Sequence, residues 1–340
     1  MFITATAMVC PVGLNAVSAC AAKRAGISAF ANLPFSDDAG EPVVGASVPG
    51  LALSLPRAER LVRMLAKGMA DLLRGQTNLN WSLVPLLVCL AEPQTPGGGS
   101  DLASRIVDKI ETVLGIRFHS ENSRVFVAGH VGGMQALLQA RHLIERGQAP
   151  ACVVCGVDSL INATTLLWLD QTYRLKTPGN RDGVVPGEAA AALLIGAAPA
   201  PDTVMKVTGL GFGQEDAPVL SDGPLLGKGL TAAVRAALAE ARVGLHEIDL
   251  RLSDVTGELY GFKELPLMEG RLMRTVRKKA QPVWHWAEAI GDTGAAAGIA
   301  QLVLADQAFR KGYLDGERAL CLTSSVMGGR AATIVHDIRA

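Results

Sequence analysis

The sequence predicts an α/β protein with a mostly parallel sheet, helices on both faces, and two duplicated halves. Three observations carry that expectation. Apolar runs such as "ACVVCGVDS" and "WSLVPLLVCLAEP" alternate with amphipathic stretches such as "RAERLVRMLAKGMADLLRG" (57–75). Strands apolar at nearly every position suit a sheet covered on both faces. The composition, 49% hydrophobic with 4% aromatics and 37 glycines, suits helices packed closely on a sheet. Finally, the chain resembles itself: "AGHVGGMQALLQARHLIERGQAPACVVCGVDS" (128–159) runs parallel to "IGDTGAAAGIAQLVLADQAFRKGYLDGERALCLTSS" (290–325).

The elements follow in order. "MFITATAMVCPVGLN" reads as a strand and a loop, with a helix starting near Asn15. It lacks the positive n-region of a signal peptide, and Pro11 to Gly13 break the apolar run. Residues 57–75 form an amphipathic helix, 81–93 a buried strand, and 99–115 one helix capped by Ser100 or Asp101. In "VFVAGHVGGMQALLQA" a β-branched strand ends at Ala128-Gly129 and a helix opens at Gly132, presenting His130 at the turn. "GAAPAPDT" (196–203) reads as the connector between halves 1–200 and 204–340. Beyond it come a helix near 230–242 and the strand "LRLSDVTGE". In the self-alignment Gly129 pairs with Gly291, His130 with Asp292 and Gly132 with Gly294. Two equivalent helix N-termini facing across a pseudo-twofold axis would bring His130 close to Asp292.

Lys+Arg and Asp+Glu number 32 each, which gives no sign of nucleic acid or a membrane surface as the main partner. No apolar window reaches transmembrane length. Cys152 and Cys155 form a C-x-x-C, but strand alternation puts them on opposite faces, so they read as core residues. Reduced, scattered cysteines imply a cytoplasmic setting. The glycine cluster at 97–99 lacks the Lys-Ser/Thr of a phosphate loop, and no cofactor or metal motif is present. His119, His142, His246 and His336 read as surface or core residues.

Several motifs together resemble the thiolase-fold β-ketoacyl synthases. "GVDSL" followed by "RDGVVPGEAAAALLI" is similar to that family's strand and "RDGFVxGEGA" loop. "GDTGAAAGIAQLVLA" is similar to its "GHxxGAAG" helix, and "SSVMGGRAATIV" to its C-terminal "GFGGTN" loop. The resemblance implies a layered α-β-α-β-α architecture. It also implies a Cys-His-His site, which this chain replaces throughout. The nucleophilic cysteine falls on His130, the "HGTGT" histidine on Thr256 and the "GH" histidine on Asp292. The family's lysine falls on Ala287 and its gatekeeping phenylalanine on Met327.

These replacements imply a 3-oxoacyl synthase homologue that has lost condensation. The leading expectation is a noncatalytic pseudoenzyme acting as scaffold, adaptor or chain-length-factor-like subunit. It would be a homodimer or heterodimer with a thiolase-fold subunit, with an acyl carrier protein or another client as further partner. The alternative is an acyltransferase, thioester hydrolase or decarboxylase using His130. His130 and Asp292 would form a buried polar pair, or both face solvent in a cleft, or act as a general base, or with Glu258 make a metal site, with His285 a further candidate nearby. In "EGRLMRTVRKKAQPVWHW", Arg271, Arg274, Arg277 and Lys278 recur near helical spacing. They read as a basic helix face, solvated or docking an acidic partner, and Trp284 and Trp286 read as core or interface residues.

Overall fold

The computed structural model describes residues 1–76, 79–98, 100–277 and 279–339. The first run of elements is β1 (Phe2–Val9), α1 (Ala16–Arg24), the hairpin β2 (Ala31–Ser36) and β3 (Pro42–Gly45), α2 (Arg57–Arg74) and β4 (Leu86–Leu90). It continues with α3 (Ser100–Ala103), α4 (Ile106–Leu114), β5 (Arg124–Val127), α5 (Gly132–Glu145), β6 (Ala151–Ser159), α6 (Ala163–Gln171) and β7 (Glu188–Gly196). The second run is β8 (Met205–Gln214), α7 (Lys228–Ala241), β9 (Leu250–Ser253), α8 (Leu259–Leu272) and β10 (Val283–His285). It ends with α9 (Ala287–Ile290), α10 (Ala297–Lys311), β11 (Arg318–Ser324) and β12 (Gly329–Asp337).

The strands pair in the order β10-β9-β11-β12-β8-β1-β7-β6-β4-β5. Reading outward from the centre, both arms use their own first, fifth, fourth, second and third strands. They meet only where Phe2 and Ile3 pair with Lys206 and Met205. Orientation repeats as well. β4 is parallel to β5 and β6, and β9 to β10 and β11, whereas β7 and β12 run antiparallel to both neighbours. The sheet is therefore mixed rather than mostly parallel. In the second arm a turn at 325–328 returns β11 directly to β12, leaving no crossover helix to restore direction.

Five layers result. α5 and α10 lie between the two arms and share one core with strand residues of both, including Leu87, Val154, Leu252 and Ala331. Every residue of α10 from Ala297 to Phe309 is buried, which its small side chains permit. α2 and α4 cover the outer face of the first arm, and α7 and α8 that of the second. β6 and β7 are buried at every position, as strands covered on both faces must be. Cys152 and Cys155 face different cores, and all six cysteines are free and buried.

Local chemistry accounts for the helices that matter most here. Asn15 caps α1 by accepting from Ser18 N at 2.8 Å. α2 buries Leu61, Met64, Leu65, Met69 and Leu72 along one stripe, each contributing about 1.5–3 kcal/mol. The same helix buries Arg60, which donates from Nε to Glu188 Oε2 at 2.7 Å and from Nη1 to the carbonyls of Leu51 and Ala52. Glu188 also accepts from Val48 N and Ser159 Oγ, each at 2.7 Å. The segment expected as one helix over 99–115 is broken at Arg105, whose φ of −125° departs from helical values, so α3 and α4 are separate. Among the described residues no helix is long and apolar enough to cross a membrane.

Candidate functional site

The site forms where the loops after β4, β5, β9 and β11 converge on the N-termini of α5 and α10. β5 ends at Val127, and the chain turns through Gly129 at φ +53° into a 3-10 turn, Gly129–Val131, before α5. A side chain at Gly129 would be strained by that φ, and its Cβ would lie 3.0 Å from Glu92 Cγ. The second half builds the same elbow at Gly294, φ +50°, with a 3-10 turn over Gly294–Ala296 before α10. The flanking residues agree too: Ala128 has φ −127°, ψ 19°, and Thr293 has φ −113°, ψ 15°.

This corrects the self-alignment by three residues. The counterpart of Gly129 is Gly294, and that of His130 is Ala295. Asp292 is not on the twin elbow but in the loop entering it. There its backbone N–H donates to Val185 at 2.8 Å and its carbonyl accepts from Gly187 N at 3.0 Å. The two side chains nevertheless meet, with His130 Nε2 2.8 Å from Asp292 Oδ1. Both residues are buried, and the same Oδ1 accepts from Gly294 N at 2.9 Å.

Burial by itself lowers the His130 pKa, but the Asp292 carboxylate, reinforced by Asp254 and Glu92, outweighs burial and raises it to about 10. Burial likewise raises the Asp292 carboxyl, while the imidazolium, the Gly294 N–H and Arg174 bring it below its ordinary value. At neutral pH the pair is therefore imidazolium and carboxylate. Asp254 belongs to the same cluster, its Oδ2 accepting from Ser324 N at 2.7 Å. Burial pushes its pKa up to about 6 against the pull of His130.

Sequence reasoning missed Asp254, and it also missed two further residues that complete the cluster. Arg174, 7% exposed, donates from Nε to Glu258 Oε1 at 2.6 Å and from Nη2 to Glu258 Oε2 at 2.8 Å. Glu92, also buried, accepts from the Ser325 hydroxyl. The available signal for Glu92 was its position just past a parallel strand's carboxyl end, where open α/β sheets place their sites. Arg174 carries no such signal. It is set by Tyr173 at φ +55°, outside every motif.

Of the other expected residues, Thr256 and Glu258 line the same cleft as His130. His285 does not: it lies on β10, edge-on to Phe262 with ring centroids 6.2 Å apart. Burial lowers its pKa. Ala287 begins α9, and Met327 stands 44% exposed in the β11–β12 turn. Among the described residues no cluster of His, Cys, Asp or Glu is arranged to hold a metal.

The basic helix face does not form, because α8 stops at Leu272, one residue after Arg271. Arg277 turns inward onto the carbonyls of His246 and Ile248, and Arg274 is exposed on the loop. Lys278 lies outside the described residues. Trp286 is buried, its indole N–H donating to Ala300 O at 2.8 Å, and Trp284 packs against the same core.

Two small clefts flank the His130–Asp292 pair, with solvent space of about 50 and 60 Å³, and Arg174 lines both. Each has room for a few waters.

No protein-family model matches the sequence, and no curated protein is significantly similar to it. Solved structures do match. One is a ketosynthase in complex with its chain length factor from Xenorhabdus doucetiae, at TM-score 0.78 and 15% identity, covering 99% of this chain and 97% of that one. Another is a type II PKS acyl-carrier protein in complex with its ketosynthase bound to the hexaketide, at TM-score 0.81 and 13% identity, covering 99% of each chain. A third is the ketosynthase from module 6 of the bacillaene synthase from Bacillus subtilis 168, at TM-score 0.78 and 16% identity, covering 99% of this chain and 71% of that one. At these identities the likeness speaks for the fold, and over its full length the chain has the thiolase-like α/β fold of ketosynthases.

Proposed function

We propose that this protein is a noncatalytic ketosynthase-like subunit that acts by binding a protein partner. The observation that carries the reading is the state of His130 in the elbow's presenting position. Its Nε2 is engaged by Asp292, and the surrounding carboxylates favour the protonated ring, which has no lone pair for attack on a thioester or for taking a proton. Asp292 and Glu92 would oppose an enolate or oxyanion where acyl transfer needs donors. Arg174 lines both clefts, and its partner Glu258 lines the second. Thr256 and Asp292 are the remaining positions that match the family site, and neither supplies an imidazole.

The partner in this reading is a second thiolase-fold chain, identical or different. β5 is the last strand of its arm, hydrogen-bonded only to β4, and Val127 on it is 38% exposed. An open edge of this kind pairs readily with another strand. The similar structures include a ketosynthase held with its chain length factor and one held with its acyl-carrier protein. The halves 1–200 and 204–340 would move as one body in such a dimer, since α5 and α10 join them in one core.

The test has two parts. Incubating the purified protein with acyl-carrier thioesters should give neither transfer nor hydrolysis. Turnover that disappears in His130→Ala would overturn the reading. Light scattering should give a dimer, alone or with a thiolase-fold partner, and that association should be unchanged in His130→Ala.

A further inference from the structure

A cavity with about 260 Å³ of solvent space opens between α1, β10, α9 and the C-terminal end of α10. It is larger than either cleft beside His130 and shares no lining residue with them. Its covered members are apolar: Cys20 on α1, Leu304 on α10, and Trp284, which packs against the core from β10. Burial raises the Cys20 thiol pKa, so the thiol stays protonated and brings no charge. Tyr313, just past α10, supplies a second aromatic wall.

The charged members are two cations, Lys23 and Arg24, and one carboxylate, Glu288. Lys23 is paired with Glu288. Arg24 is exposed and has no carboxylate partner among the described residues; its guanidinium lies over the Tyr313 ring, 4.1 Å from the centroid. Asp306 and Asp315, the acidic residues closest in sequence to Leu304 and Tyr313, are held by Arg310 and Lys279. A guanidinium stacked by its face keeps its N–H edge for a carboxylate, which it meets with two parallel bonds. The lining thus carries one uncompensated positive charge at the rim of an apolar, aromatic pocket. A cation would meet like charge there, and a wholly polar anion would leave the Trp284 and Leu304 surfaces in water. A ring that bears one carboxylate answers both features.

We propose that this cavity binds a small aromatic carboxylate, its ring against Trp284 and Leu304 and its carboxylate on Arg24. The site is independent of the noncatalytic role, which concerns His130 and the dimer.

Benzoate, benzyl alcohol, benzylammonium and acetate are the probes, titrated into the full-length protein at pH 7 while the backbone amides of Gly26 and Tyr313 are followed by NMR. Benzoate should give saturable shifts and bind about threefold or more tightly than each of the others, as one partly exposed ion pair allows. In Arg24→Gln benzoate affinity should fall about threefold or more. Glu288→Gln removes the lining carboxylate and should tighten benzoate about twofold or more, and it serves if Arg24→Gln misfolds. An absence of saturable benzoate shifts overturns the proposal, as does equal or tighter binding of any other probe. A folded variant whose benzoate affinity does not move in the stated direction overturns it as well. Thioester turnover and light scattering are measured separately, so failure of the noncatalytic reading is distinguishable from failure of this one.

Discussion

Arg174 and Glu258, 84 residues apart, form a bidentate ion pair at 2.6 and 2.8 Å in the middle of the candidate site. The pair ties the loop after α6 to the loop after β9, one from each half. Charge-assisted fork geometry of this kind is strong, but it is buried, so each partner depends on the other.

Arg174→Met should therefore destabilise the protein by up to about 3 kcal/mol, because it leaves the largely covered Glu258 unpaired. The double variant Arg174→Met/Glu258→Leu should recover most of that loss. Urea denaturation of the wild type, the single and the double variant checks this. A single variant as stable as wild type would contradict it.

The pH dependence follows from the His130–Asp292 pair. A histidine whose folded pKa is raised contributes stability that is full below its ordinary value near 6.5 and fades as pH climbs toward about 10. The lowered Asp292 pKa makes its contribution full above the ordinary value near 3.8 and lost in stronger acid. Stability from the pair should thus hold between about pH 4 and 6.5 and decline on the alkaline side. His130→Gln should flatten that decline, as denaturant midpoints at about pH 6, 8 and 10 would show.

Asp254 has the opposite sign. Its carboxyl is raised to about 6, so its contribution is full below about pH 3.8 and lost as pH rises through 6. Asp254→Asn keeps an oxygen for the Ser324 N–H and removes the buried charge. It should gain on the order of 1 kcal/mol relative to wild type at pH 8, with no gain near pH 4. Equal effects at the two pH values would place the cost elsewhere.

A cysteine placed at position 130 should not become a reactive nucleophile. In His130→Cys the thiol would face Asp292 and Glu92 in a buried setting, and both burial and negative charge raise a thiol pKa. Mass spectrometry of the His130→Cys variant after incubation with acyl thioesters at pH 7 should find the introduced thiol unacylated. Ready acylation would show that the elbow alone activates the nucleophile.

Away from the site, Glu188→Gln should cost about 3–5 kcal/mol, because Arg60 would be buried beside a neutral partner. Thermal unfolding monitored by circular dichroism reads this directly, and a loss within about 1 kcal/mol would be incompatible with it.

The residues by themselves determined the buried strands β4 and β6, the elbow before α5 that presents His130, and the opposed faces of Cys152 and Cys155. These are local properties: burial on both faces, glycine at positive φ, and the identity of one side chain at one turn. Only the tertiary structure decided the rest. A repeat read by matching glycines paired Gly129 with Gly291, whereas backbone conformation pairs it with Gly294, because the glycine at positive φ that enters the 3-10 turn defines the elbow. Arg60 looked like the polar side of an amphipathic helix until Glu188, 128 residues away, was seen beneath it. Arg271, Arg274 and Arg277 lost their common face when α8 ended at Leu272. Arg174, Glu92 and Asp254 were invisible as a group because ion pairing is set by distance in space. Such pairs depend on which loops the layered sheet brings together, and no spacing along the chain encodes that.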